Sequence, residues 1–505
     1  MKSSTRIIVN TGALYFRSII NVVLGLYSSR LVLAALGAND FGIYSLIGGV
    51  IALLSFVTTT MTTTTQRFLS FYQGKEDISL VKTYFINSFW IHIFIDILLL
   101  IVLEIIGLFL FDGLLNIIPQ KIHSAKIVYQ CVIFMVLCSF ISSPFKALLI
   151  SHENLVYISL IEIFDGILKV VIAILLTYGP SDRLVFYAIL MCSLSLSQLI
   201  AYSIFCFLKY KECVCPKLSY LSKTILRQLS SFAGWTLYST GCIVGRLQGV
   251  TIIINKFLGT VANSAFGLAL QINSALSFIS SSLLSAIRPQ IIKSEGNGNR
   301  EQGILLAMTA SKASYLLLSL VIAPVLIYTD QILNIWLEKV PENTVLFCRV
   351  MLITSLADSI TIGLGIINDA IGKIKNYSLL INTIKLLTVP ILLVLLLFKI
   401  KIEVAIWTFA FLELIAALIR IPYIHVTAGL NGVAFLKNVI IRVLIPTIII
   451  YTCYFILKSE ESFVLIFFTS IIISLIYLIS IYFISLNKLE KKYFLTMIKF
   501  FKKDK

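Results

Sequence analysis

Apolar residues in this chain gather into runs of roughly 20 or more, the length a helix needs to cross the hydrocarbon core, rather than recurring every third or fourth position as on a soluble surface helix. The runs cover 10–34, 41–62, 85–111, 127–149, 155–177, 184–208, 232–255, 262–287, 304–328, 345–367, 376–398, 404–424, 439–457 and 463–486. They predict an all-α integral membrane protein of about 14 transmembrane helices, joined by connections too short to hold a soluble domain. The first run is longer than a signal-peptide core and lacks a small-residue cleavage site, so it is expected to stay as the first span.

Composition agrees: 59% of residues are hydrophobic and 13% charged, with a mean hydropathy of +0.98. The net charge of +17 would suit nucleic acid only if it formed one basic surface, and it does not. With Met1 placed in the cytoplasm, that face collects Lys2, Arg6, Arg67, Lys75, Lys82, Lys146, the basic stretch 209–227, Arg288, Lys293, Arg300, Lys373, Lys375, Arg420, Lys437, Arg442 and a tail from Lys488 to Lys505. The opposite face holds about a third as many, including Lys121, Arg183, Lys339, Lys399 and Lys458, so both termini are expected inside. Lysines interleaved with Tyr493, Phe494, Phe500 and Phe501 suit the tail either to anionic headgroups or to a disordered charged end.

An internal repeat organises the spans. Gly12, Leu36, Gly37, the triplet Leu54-Ser55-Phe56 and Gly74 recur at one constant offset as Gly234, Leu258, Gly259, Leu276-Ser277-Phe278 and Gly296. The turn before HENLVYISL (152–160) similarly matches that before GKIKNYSLL (372–380), with Tyr157 over Tyr377. Six spans per copy is an even number, so the halves run parallel and are related by an axis along the membrane normal. The expected organisation is a six-helix bundle over 1–208, a cytoplasmic linker at 209–229, a second bundle over 230–426, two further helices over 427–487 and the tail 488–505.

Parallel halves place a ligand site near the midplane, marked by ionisable residues that cost at least ~2.5 kcal/mol each to insert. Asn10, Arg17, Asn21 and Ser28 share one face of the first span, with Arg17 its only charge. Arg30 lies on another face, equally suited to anchor the outer end or to line a cavity. In the seventh span Arg246 falls, by the repeat, within two turns of Arg17, and Gln271, Ser281 and Arg288 follow on the eighth. Guanidinium stays charged and grips phosphate oxygens with two parallel hydrogen bonds, so an anionic ligand is implied, with Arg17, Asn21, Arg30, Arg246, Gln271, Arg288 and Lys385 as its candidate contacts.

Candidate ion-coupling groups are His92 and Asp96 one turn apart, Glu162, Asp165 and Lys169 on the fifth span, Asp358 on the tenth, and Glu413 on the twelfth with Arg420 nearby. The fifth-span cluster reads first as a structural ion pair, with binding of a coupling ion or sugar hydroxyls as its alternative, and most of the threonines of TTTMTTTTQR (58–67) as bonding their own helix carbonyls. Lys385 falls opposite Asp165 in the repeat, which would make the two counter-ions between the halves.

Enzyme chemistry is not indicated. GIINDAIGK (365–373) has six residues between its glycines and no following Ser or Thr, so it fails the phosphate-loop pattern; HExxH and GxSxG are absent. The nine cysteines are scattered, Cys213 and Cys215 lack zinc spacing, and His92, His123, His152 and His425 are dispersed, so no metal or other cofactor is expected.

The opening, Asn10 followed by SSRLVLAALGANDFGIYSL, and the turn NDAIGKIKNY (368–377) resemble the Wzx-type polysaccharide flippases of the multidrug, oligosaccharidyl-lipid and polysaccharide exporter (MOP) superfamily. The resemblance implies a MATE-like, V-shaped pair of bundles in the bacterial inner membrane, moving an undecaprenyl-diphosphate-linked oligosaccharide to the periplasmic leaflet by alternating access, for O-antigen, lipopolysaccharide, capsule or exopolysaccharide. It implies cationic cavity residues at Arg17 and Arg246, then Arg30, Arg288 and Lys385. Its implied partners are the lipid-linked oligosaccharide, membrane lipids, a polysaccharide polymerase and a chain-length regulator. The alternatives are an ion-coupled multidrug antiporter of the same superfamily, a membrane-embedded polymerase, which would need a periplasmic loop or acidic metal motif, and a passive scaffold, which leaves the buried arginines unexplained.

Overall fold

The computed structural model describes residues 3–52, 55–109, 119–180, 182–214, 216–337, 340–457, 463–487 and 490–491. Lys2, Cys215, Lys339, Lys458 and nearly all of the basic tail lie outside them. The described chain is helical throughout: α1 (Val9–Gly37), α2 (Ser55–Gly74), α3 (Ile78–Phe109), α4 (Ile122–Ser151), α5 (Leu155–Leu175), α6 (Arg183–Lys209), α7 (Lys223–Gly259), α8 (Val261–Gly296), α9 (Arg300–Ile327), α10 (Thr344–Ser359, resuming as Ile362–Ile371), α11 (Ile374–Leu397), α12 (Ile402–Ala428), α13 (Gly432–Ile456) and α14 (Leu465–Ser485). Among the described residues, eleven helices are long and apolar enough to cross a membrane, or twelve if α10, bent by 47°, is one span. The count of 14 exceeds this by α2, made polar by its threonines, and α5, which carries Glu162, Asp165 and Lys169.

Contacts divide the chain into two compact units, Ile8–Leu237 and Tyr238–Lys505, the latter with Met1–Ile7. In the first, α4 is the inner helix: its Phe140, Ala147, Leu148 and Leu149 are fully buried, whereas Phe94, Ile97, Leu98 and Ile101 of α3 stand exposed as a lipid-facing stripe. In the second, α9 is the inner helix, and its Tyr315, Leu318 and Ile322 share a core with Ile450 and Tyr454 of α13 and Ile473 and Tyr477 of α14. The last two helices are therefore part of the second unit's core.

The sequence repeat has a direct backbone counterpart. Gly37 (φ 78°, ψ 166°) and Gly259 (φ 83°, ψ −174°) end α1 and α7 in the same conformation, one essentially confined to glycine. The first turn is tied down from two sides: Lys121 Nζ reaches Asp40 Oδ2 at 2.8 Å, and Arg183 Nη1 donates to the Ala35 carbonyl at 3.0 Å. No atom lies within 4 Å of where a Cβ would sit on either glycine, so a substitution there is opposed by backbone strain alone. Gly37→Ala and Gly259→Ala should each destabilise their unit by about 1–3 kcal/mol, with the same size at both sites, in thermal unfolding in detergent. Unequal costs would mean the two turns are not equivalent.

The segment after α6 is held against the first unit. His152 Nε2 meets Glu212 Oε1 at 2.5 Å and stacks on Tyr210 at 4.0 Å between ring centroids, while Asn87 Nδ2 donates to the Tyr220 carbonyl at 2.9 Å. Burial pushes the Glu212 carboxyl up, but the hydrogen bond and charge of His152 and a hydrogen bond from Gln73 outweigh it and hold the group below the usual glutamate value of 4.5. A depressed carboxylate contributes stability that is present above its unfolded value and lost as pH falls through its folded value. Hydrogen exchange over 210–214 should therefore accelerate below pH 4.5, and Glu212→Gln should remove the acid-dependent part.

Candidate functional site

Each unit has an open cavity lined in part by polar side chains. In the second unit the cavity holds about 270 Å³ and is walled by α7, α8, α10, α11 and α12. Two of the helices that carry its charges depart from regular geometry. α10 breaks just after Asp358, and α11 passes through a π-helical turn at Ser378–Asn382 immediately before Lys385. Across this turn Ser239 bonds Ser378 and Tyr238 bonds Thr383, each at 2.7 Å.

The charges form one buried network. Arg246 Nη1 lies 2.6 Å from Glu413 Oε2, its Nη2 donates to the Phe409 carbonyl at 2.8 Å, and its guanidinium stacks 4.3 Å above the Phe409 ring. Lys385 bridges Glu413 and Asp358, the latter at 3.0 Å. Arg420 reaches Asp358 at 2.8 Å and Thr361 Oγ1 at 3.0 Å. Three cations thus share two carboxylates, and Arg246, Lys385, Glu413 and Arg420 are all under a tenth exposed. Net positive charge in so little water is tolerable only when shared this way or completed by an anion.

The first unit repeats the excess with different parts. Glu162 of α5 accepts from Arg17 of α1 at 2.5 Å and from Lys146 of α4 at 2.6 Å, so two cations share one carboxylate. Lys146 lines a cavity of about 650 Å³ whose other walls are hydroxyl-rich: Thr58, Thr59, Thr62 and Thr63 of α2, Ser139, Ser142 and Ser143 of α4, and Tyr202 of α6. Thr62 bonds the Thr58 carbonyl and Thr64 that of Thr60, the backbone-satisfying fate the sequence allowed. Asn21 packs on α5, where a Cβ added to Gly166 would come 2.9 Å from its Oδ1.

Several sequence-derived residues land elsewhere. Arg30 is exposed and has no partner among the described residues, as an anchoring arginine would. Gln271 is exposed and does not line the cavity; Asn273, Ser277 and Ser280 of the same helix do. Arg288 pairs with Asp369 of α10. Asp165 pairs with Lys169 at 2.7 Å and Lys385 with Asp358 at 3.0 Å, each within its own unit. His92 and Asp96 are buried but not hydrogen-bonded to each other. Glu413 bonds Arg246 and Lys385, leaving Arg420 to Asp358. Two cations assigned to the cytoplasmic surface are buried in the protein, Arg420 in the network above and Arg67 beneath the rings of Phe68, Phe71 and Phe232, and a third, the half-buried Lys146, pairs with Glu162. No cluster of His, Cys, Asp and Glu suited to a metal occurs among the described residues.

No family model matches the sequence, and no curated protein does. Solved structures do match. A MATE transporter in its bent conformation superposes with a TM-score of 0.74, covering 85% of this chain and 98% of that one at 13% identity. The fold is that of the MATE transporters. An outward-facing multidrug resistance MATE family transporter of the MOP superfamily gives 0.71 over 85% and 96% of the two chains, again at 13% identity. A MOP superfamily transporter from Pyrococcus furiosus Vc1, described with the words "reverse polarity of binding pocket suggests different function", gives 0.71 over 86% and 97% at 12% identity. The expectation of a multi-pass, all-helical MATE-like membrane protein therefore holds.

Proposed function

We propose that this chain is an alternating-access flippase of the bacterial inner membrane, with both termini cytoplasmic, that carries an undecaprenyl-diphosphate-linked oligosaccharide to the periplasmic leaflet for O-antigen, capsule or exopolysaccharide assembly. One observation carries the reading: in each unit the cations outnumber the carboxylates they share, two to one around Glu162, where Arg17 and Lys146 are half-buried, and three to two around Asp358 and Glu413, where the cations are buried. A guanidinium beside a polar cavity favours an anion with paired oxygens, and a diphosphate offers two such groups. The hydroxyl-rich wall of the first cavity suits sugar hydroxyls. A fold-mate described as having a pocket of reversed polarity indicates that the MATE frame tolerates either sign of pocket charge.

The deciding experiment is flipping of a labelled undecaprenyl-diphosphate oligosaccharide in proteoliposomes, with Arg17→Ala and Arg246→Ala compared at equal incorporation. Both substitutions should reduce the rate at least tenfold. A wild type that moves no lipid-linked sugar but exports cationic dyes would replace this reading with the multidrug antiporter, which the fold fits equally well.

A further inference from the structure

A second helix begins where α14 ends. After a π-helical last turn at Ile481–Ser485 the chain reaches Asn487, whose N–H donates to Glu490 Oε2 at 2.7 Å and whose carbonyl accepts the Lys491 N–H at 2.8 Å. This is half of a capping box, the mark of a helix starting at Asn487. Glu490 also fastens that start to the second unit, because the same Oε2 receives Lys312 Nζ of α9 at 2.6 Å. Lys312 is 3% exposed, and its other partner is the Ser485 carbonyl at 3.1 Å. Ser485 Oγ in turn donates to the Arg442 carbonyl of α13 at 2.6 Å, so three transmembrane helices hold one point.

Lys491 stands at the bilayer edge. Its Nζ donates to the Phe483 carbonyl at 3.3 Å and lies 5.3 Å from the Tyr482 ring centroid and 5.8 Å from that of Phe483, which is exposed on α14. A lysine over aromatic rings at the end of a span belongs at headgroup level.

At helical spacing the sequence that follows sorts into two faces. Lys488, Lys491, Lys492, Lys499, Lys502 and Lys503 fall within an arc of about 120°, and Leu489, Tyr493, Phe494, Met497, Phe500 and Phe501 within about 140° on the opposite side. Leu495 is the one apolar residue inside the lysine arc. Glu490 is the only acid from 488 to 503; it falls on the apolar side, and Lys312 supplies its counter-ion. A soluble polyanion would engage the lysines and leave the aromatic residues in water, whereas a membrane surface engages both.

We propose that residues 488–503 form an interfacial helix that lies on the leaflet into which α14 emerges and binds its anionic phospholipid headgroups, with the Glu490–Lys312 pair fixing where it leaves the protein. The lysines meet the phosphates and the rings enter the acyl boundary, so binding is salt-sensitive and needs both faces. Nothing in it depends on which cargo is carried.

The test is trypsin digestion of the full chain in lipid nanodiscs, which leave both bilayer faces open, read by mass spectrometry. Cleavage after Lys492 and Lys499 should be at least tenfold slower in discs of phosphatidylglycerol with phosphatidylcholine than in phosphatidylcholine alone, and high salt should remove most of the protection. Cleavage after Lys217, exposed in the linker, is the internal reference for protease activity on each lipid. Equal relative rates in the two lipids overturn the proposal. Phe500→Ser with Phe501→Ser keeps the lysines and breaks the apolar face, so cleavage should return to the neutral-lipid rate; protection that survives belongs to a charged tail without the helix and equally overturns it. Glu490→Gln should speed cleavage after Lys491 at least tenfold in phosphatidylcholine. If the unpaired Lys312 keeps that variant from folding, Lys312→Met with Glu490→Gln replaces it. No acceleration would show that the pair does not hold the helix start.

Discussion

Glu413→Ala should destabilise the second unit by about 3–5 kcal/mol, the cost of leaving a buried ion without its partner. Glu413 is 3% exposed and receives both Arg246 and Lys385. Without it Lys385 still has Asp358, but Arg246 keeps only the Phe409 carbonyl and ring. A guanidinium satisfied by one carbonyl in so dry a place must draw in water or displace α12. Replacing the pair together, Arg246→Leu with Glu413→Leu, removes both charges and should recover most of the loss, because well-packed apolar residues often equal a buried ion pair. The double variant separates structure from function: it should fold near wild type and still fail to carry an anionic cargo. Thermal unfolding in detergent checks the first part, and a Glu413→Ala protein as stable as wild type would show that the network does not hold the unit together.

Features carried by one helix were legible in the sequence, and features made between helices were not. The apolar runs locate the eleven helices that are long and apolar enough to cross a membrane among the described residues, and the bent α10, and the glycines at 37 and 259 mark turns whose backbone the structure finds to be the same. Asp165 and Lys169 pair as their one-turn spacing requires. Glu162 has no cation one turn away, Lys169 being two turns on, and pairs across helices instead, because helix packing brings Arg17 of α1 and Lys146 of α4 to it. Lys146 and Arg420 stand near the ends of apolar runs, where a topology argument counts them as surface charges. Only the tertiary fold shows that each faces a carboxylate inside its own unit. The break in α10 and the π-helical turn in α11, which bring Asp358 and Lys385 together, leave no periodic signal that a single sequence reveals.

Gly363→Ala should be more disruptive than its single added methyl suggests, costing at least the ~1–3 kcal/mol typical of overpacking. Gly363 opens the second segment of α10, directly against α9. A Cβ there would lie 2.1 Å from the Ala307 carbonyl oxygen and 2.8 Å from Ser311 Oγ. The serine could rotate, but its Oγ accepts the Gly363 N–H at 3.0 Å, so rotation would strand a buried donor. The carbonyl cannot move without α9, the inner helix of the unit. The only relief is to push the segment outward, and its first residues adjoin Thr361, which holds Arg420 beside Asp358. The substitution should therefore lower stability and loosen the charge network together. Ser311→Gly added to Gly363→Ala should restore little, since the closer clash is with backbone. Full rescue by Ser311→Gly would place the obstacle in the side chain and sink the argument.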